Sequence, residues 1–340
     1  MVFKIETNKV FRNQKINKQT EYTIKKNIYN NFILNKKIKN IYSISKNSNT
    51  SKIYQIEEDN GGKKILRSSS ILDFDKINWA VKKIIALNDN YFFNLIKTTK
   101  KNYIYIYKKN AYLMYHKVSG KIYSGNISDF YNILKKAISL HISLNNKNKF
   151  KNIKIKKNFK NFEEFITKDK SLISSFINNP TNKLLKENKR FILNQIKILK
   201  TKKILNDVQV VHSDINHSNV IINRSKVTFL DIEDVRFDSL SVALSFLIFK
   251  LTRHSIYKKK ITLKKFRNHI LDEILKILKE NNIKLNRIKI IQCAMYRTLT
   301  DLELIISQIN NKNFQYLYDL EKKLHNLIEI RYMFENGYKI

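Results

Sequence analysis

Apolar positions change their period partway along the chain. From residue 41 to 120 they fall in short runs that suit strands, read at Ile41–Ser45, Ile53–Glu57 and Lys63–Arg67. The turn Glu58-Asp59-Asn60-Gly61-Gly62 between the last two is a hairpin signal. A helix is predicted over Asp73–Leu87, with Ile77, Ala80, Val81 and Ile84 on one face. The segments FFNLIKT, YIYIYKK and AYLMYHKV read as further strands, ending at Gly120. From Ile127 the period becomes helical, first over Asp129–Leu144 and then around 161–177 and 182–205. Residues 208–233 read as strand, loop, strand, turn and strand, and 239–335 is almost all helix. The run Leu240–Phe249, bounded by Asp238 and Lys250, reads as a buried helix.

This order, sheet first and helix later, predicts an α+β protein of two lobes. The expected divisions are an N-terminal helical extension at 1–40, a β-rich lobe at 41–120 and a mainly helical lobe at 121–340. Residues 145–160, rich in Lys and Asn, are expected to form a loop or insertion.

Composition narrows the class. The chain has 340 residues and is 43% hydrophobic, enough for a buried core. No segment reaches the roughly 18 apolar residues of a membrane span, and the N-terminus lacks the apolar core of a secretory signal. A cytoplasmic protein is expected. The single cysteine, Cys293, excludes an internal disulfide and a cysteine-based metal site. A formal charge of +38 invites a nucleic-acid partner. Against it, the chain has no arginine-rich block, zinc pattern or ribonucleoprotein aromatic motif. Lys, Asn, Ile, Tyr and Phe are all abundant while Gly (5) and Pro (1) are scarce. That combination reads as compositional drift carried on solvated faces.

Acids are rare, so their clustering is informative. Asp207, Asp214, Asp231, Glu233, Asp234 and Asp238 gather in one short stretch. Within it, Val220–Ile222 and Val227–Phe229 are short apolar strands joined by the turn Asn223-Arg224-Ser225-Lys226. Folding this hairpin brings Asn219, just before the first strand, beside Asp231, just after the second. Asp214 lies in the loop feeding the same end. Two carboxylates and an amide are a hard oxygen set suited to Mg2+, with one acid left over as a base.

The order His212-x-Asp214, Asn219 five residues later and then Leu230-Asp231-Ile232-Glu233 resembles the aminoglycoside phosphotransferase and choline kinase superfamily. The motif there is H-G-D-x-x-x-x-N followed by [IL]-D-x-[ED]; here it reads HSDINHSN and LDIE, with Ser213 in place of the usual Gly. The resemblance implies a protein-kinase-like fold and an ATP- and Mg2+-dependent phosphotransferase acting on a small-molecule hydroxyl, with GTP an open alternative to ATP. It implies Asp214 as base, Asn219 and Asp231 as metal ligands, Glu233 as a further metal ligand and His212 as a brace for the loop. Upstream it implies a phosphate-capping loop at Asn47–Ser51 with Asn49 at its apex, and Arg67 as the basic phosphate ligand. It also implies a hinge at Tyr112–Gly120, where the backbone of His116 and Val118 pairs with the base and Tyr115 lies behind it. Acceptor-side candidates are Arg253, His254, Tyr296, Arg297, Asp301 and Glu303, and the basic chain suits an anionic or neutral acceptor better than a polycation. One departure favours an alternative, a catalytically degraded kinase-like binding protein. Relatives pair the basic phosphate ligand with a Glu on the following helix, and that place falls here on Trp79 or Ala80.

Overall fold

The computed structural model describes residues 14–34, 36–44, 51–87, 91–145, 180–201, 207–310 and 316–334. Asn49, residues 146–160 and the helix expected at 161–177 lie outside these. The chain forms two compact units. One comprises Glu6–Ile122 with Asn219–Val235, the other chiefly Tyr123–Ser218 with Arg236–Ile340.

The first unit is built on a six-stranded antiparallel sheet. Its strands are β1 (Gln14–Lys15), β2 (Ile38–Ser43), β3 (Ser51–Glu58), β4 (Lys63–Ser70), β5 (Ile104–Tyr107) and β6 (Asn110–His116), in the order β1-β2-β3-β4-β6-β5. The β3–β4 turn closes with Glu58 N–H donating to Gly62 O at 2.8 Å and Gly61 N–H to Glu58 O at 3.0 Å. Gly61 takes φ +82°, a shape glycine adopts without strain.

Side chains alternate across the sheet. Tyr54, Ile56, Leu66, Tyr112 and Met114 form one core with Ile24, Ile28, Tyr29 and Phe32. Over 14–34 the expected extension is helical from 18 to 31. A two-residue strand is followed by a short helix α1 (Lys18–Tyr22), which passes into a π-turn and a 3-10 turn. Its apolar residues cover this face of the sheet. Tyr29 seals the cover with a hydrogen bond to buried Glu58 at 2.8 Å.

Helix α2 (Phe74–Leu87) buries Ile77, Ala80, Val81 and Ile84, the predicted face. FFNLIKT, read as a strand, makes isolated bridges at Phe92, Leu95 and Thr98. The same unit holds the three-stranded sheet β7 (Lys121–Ile122), β9 (Val220–Asn223) and β10 (Lys226–Phe229).

The second unit contains α3 (Ile127–Asn145), α4 (Pro180–Thr201), α5 (Leu240–Tyr257), α6 (Leu263–Lys265), α7 (Leu271–Glu280), α8 (Arg287–Asn310) and α9 (Leu317–Phe334). It also holds β8 (Val208–His212), paired with β11 (Val235–Ser239). Helix α5 packs against both α3 and α8 and is buried nearly all round, as its unbroken apolar run requires. Ser239 caps it, accepting from Val242 N–H at 3.2 Å. No helix among the described residues is long and apolar enough to cross a membrane.

Candidate active site

The site residues fall on both units. In the sheet unit, β9 and β10 pair antiparallel in the predicted register, Val220 opposite Phe229 and Ile222 opposite Val227. Leu230 N–H donates to Asn219 O at 2.8 Å. Asn219 and the residue before Asp231 thus close the open end of the hairpin. Asp231 follows with φ 62° and ψ 56°, a left-handed shape that side-chain-bearing residues other than Asn and Asp seldom take. A 3-10 turn, Ile232–Asp234, carries Glu233 next.

Arg67 on β4 reaches this end of the hairpin. Its Nη1 donates to Asp231 Oδ1 at 2.5 Å and its Nη2 to Glu233 Oε2 at 2.7 Å. Ser69 Oγ donates to Glu233 Oε1 at 2.6 Å. Burial disfavours the charged guanidinium, but Asp231 and Glu233 outweigh it and hold the Arg67 pKa above its ordinary value. The acid sought for Arg67 on α2 is therefore supplied by the LDIE turn, against which α2 packs.

In the helical unit, β8 delivers the loop that carries Asp214. Two side chains of α3 hold this strand. Asn145 Nδ2 donates to Val210 O at 2.8 Å, and Val210 N–H donates back to Asn145 Oδ1 at 3.0 Å. One turn earlier, His141 Nε2 accepts the N–H of buried His212 at 3.2 Å. Burial lowers the His141 pKa to about 3, so the ring stays neutral and can accept. Beyond the strand, Asn216 Nδ2 donates to Asp214 Oδ2 at 3.0 Å, and Asn216 Oδ1 accepts from Ser218 N–H at 2.9 Å. Ser213 is buried, and positive φ is not among its constraints. Serine therefore fits where the motif has glycine.

No family model matches the chain, and no curated protein matches it in sequence. Solved structures match it in fold. Spectinomycin phosphotransferase, solved with ADP and spectinomycin, superposes with a TM-score of 0.61 at 14% identity, covering 86% of this chain and 92% of that one. An amicoumacin kinase, solved with AMP-PNP, Ca2+ and Ami, gives 0.54 at 13% identity over 84% and 87%. Choline kinase from Cryptosporidium parvum gives 0.50 at 11% identity over 87% and 88%. The chain has the protein-kinase-like fold of the aminoglycoside phosphotransferase and choline kinase superfamily.

The expected hinge segment, Tyr112–Gly120, begins within β6 and runs past its end. Tyr115 lies opposite Ile65, on the sheet face that Arg67 also occupies, and stacks on Phe93 with ring centroids 3.8 Å apart. The His116 ring points to the other face, opposite Lys64, whose Nζ lies 3.2 Å from Nδ1. Burial and the Lys64 charge both hold the His116 pKa below its ordinary value. Along the outer edge of β6, Ile96 N–H donates to Met114 O and His116 N–H to Asn94 O, at 2.8 and 3.2 Å. Among the described residues the ladder ends there, before the His116 carbonyl and Val118.

The acceptor-side candidates divide. Arg297 pairs with Asp238 at 3.4 Å and with Asp301 at 3.3 Å, and Lys323 also meets Asp301. Burial would raise the Asp301 carboxyl, but Lys323 and Arg297 hold it at about 2. Burial and Asp238 push Tyr296 up to about 12. Arg253 forms a buried pair with Glu329. His254 stacks on a residue of the Asp214 loop, His217, with centroids 4.1 Å apart. Glu303 is half-buried on α8. Sequence reasoning missed Ser69 and Asn145, whose contacts are distant in sequence, and Asn216, whose bonds to Asp214 and Ser218 are local.

Proposed function

We propose that the protein is an ATP- and Mg2+-dependent phosphotransferase acting on a hydroxyl of a small molecule. The observation that carries this reading is the open end of the β9–β10 hairpin, where Asn219, Asp231 and Arg67 supply an amide, a carboxylate and a guanidinium. Oxygen donors of this kind fit Mg2+, and a planar fork fits a phosphate. In this reading Asn219 and Asp231 hold the metal, which when bound neutralises phosphate charge. Arg67 lies beside it on the same sheet face as Tyr115. The His116 carbonyl and the Val118 N–H take the base where the β6 ladder ends.

Asp214 is the base. As the substrate oxygen bonds to the γ-phosphorus, the hydroxyl proton passes to Asp214. The bond from that phosphorus to the β,γ-bridging oxygen breaks, and ADP leaves with the electron pair. Asn216 fixes the carboxylate, which keeps one face turned to its work. The acceptor is a neutral or anionic hydroxyl compound, and the reaction belongs to the cytoplasm. The case for a degraded site rested on a missing acid for Arg67; two acids now meet it.

The reading is tested by thermal shift. Mg-ATP is expected to raise the melting temperature of the wild type and of Asp214→Asn, but not that of Asp231→Ala. No shift in a folded wild type would overturn it.

A further inference from the structure

The two carboxylates that meet Arg67 are not equivalent. Glu233 is engaged at both oxygens, by Arg67 at 2.7 Å and by Ser69 at 2.6 Å. Arg67 and Ser69 are two residues apart on β4 and so share one face of the strand. Glu233 is therefore tied to β4 at two successive positions. Among the described residues Asp231 is tied at Oδ1 alone, and it is about twice as exposed, 26% against 14% for the side chain.

Charge gives the difference a consequence. Arg67 is buried and cationic. A divalent cation taking up Asp231 would draw away one of its counter-charges and add a like charge nearby. Removing a partner from a buried ion leaves a large uncompensated cost. Glu233 can stay in place through such an exchange because its bonds run to β4 and not to the hairpin end.

We infer that Glu233 is a positioning residue for Arg67, held by Ser69, and not a ligand of the metal. It supplies from the LDIE turn the acidic partner that α2 lacks, and it leaves Asp231 to the metal. This rests on the phosphotransferase reading above.

The test is ADP binding by calorimetry in two regimes. In EDTA the phosphates meet Arg67 without metal, whereas a Mg2+ titration at fixed ADP reports the metal ligands. Glu233→Gln is expected to weaken ADP binding in EDTA by about tenfold, the scale of one charge-assisted hydrogen bond, with the Mg2+ midpoint unmoved. Ser69→Ala should act in the same direction and less strongly. Asp231→Asn should move the Mg2+ midpoint instead. In an Arg67→Ala background, Glu233→Gln should add nothing, because it acts through Arg67. The assignment is overturned if Glu233→Gln moves the Mg2+ midpoint and spares binding in EDTA, or if its effect persists without Arg67. Should Glu233→Gln not fold, Ser69→Ala decides alone, and a shifted Mg2+ midpoint or unchanged binding in EDTA overturns the assignment. A wild type that binds ADP in neither regime overturns the phosphotransferase reading itself.

Discussion

Asp231 combines two demands at one position. Its backbone is left-handed, which costs an L-residue about 1–2 kcal/mol, and its carboxylate meets Arg67. Strain of this kind persists where the surroundings require it, often at functional sites. Replacing the residue by alanine or glycine removes the same carboxylate, but only glycine relieves the backbone. Asp231→Gly should therefore be more stable than Asp231→Ala by about 1 kcal/mol in urea unfolding, while neither supports Mg2+-dependent nucleotide binding. A second single-residue effect concerns His141. Its folded pKa, about 3, is far below the ordinary histidine value. Its contribution is fully present above about pH 6.5 and is lost as pH falls toward 3, at up to about 1.4 kcal/mol per unit. Urea unfolding at pH 7.5 and pH 5 should show a larger loss for the wild type than for His141→Gln. The meeting of Asn219 with the end of the hairpin that precedes Asp231 was legible in the sequence because the two strands and their turn are local. The Arg67–Glu233 pair was not, since its members lie 166 residues apart and no periodicity links them. The acidic cluster also proved mixed. Asp207 accepts from Ser239 and Ser241 at the start of α5, and Asp238 pairs with Arg236 and Arg297.

Among the elements, β8 is the one on which the placement of Asp214 depends. Asn145 binds Val210 through both its N–H and its carbonyl, as a neighbouring strand would. Asn145→Ala leaves both backbone groups without that partner. A loss of about 1–3 kcal/mol in unfolding free energy is expected, with a lower kcat and a nucleotide affinity that is kept. An equal loss of nucleotide affinity would contradict the idea that α3 acts on the Asp214 loop. Strands and helices with a clean period were legible, as in Asp73–Leu87 and the β9–β10 hairpin. FFNLIKT was not. Its apolar run suits a strand, but Asn94 and Ile96 lend only two hydrogen bonds to the end of β6. Composition cannot tell a full strand from an extended segment that pairs briefly.

At the scale of the whole molecule, the N-terminal segment completes the sheet unit. Ile24, Ile28 and Tyr29 fall at helical spacing, and with Phe32 they cover the sheet face. Phe32 is 2% exposed in a core shared with Ile56, Leu66 and Met114. Phe32→Ala should cost about 3–5 kcal/mol in urea unfolding, although the residue lies far in sequence from every motif. The order of sheet and helix made the α+β class legible, and the short motifs made the superfamily fold legible. The acceptor stayed illegible, since Arg253, Tyr296 and Arg297 serve ion pairs and packing in the helical unit as readily as recognition.

Phosphoryl transfer is the central claim, and following the label from γ-labelled ATP tests it most directly. With Mg2+ and a panel of neutral and anionic hydroxylated metabolites, the wild type should move label into a defined acceptor. Asp214→Asn should bind Mg-ATP as the wild type does and transfer none. Equal transfer by Asp214→Asn, or a wild type that binds Mg-ATP and labels no hydroxyl compound, would contradict the account.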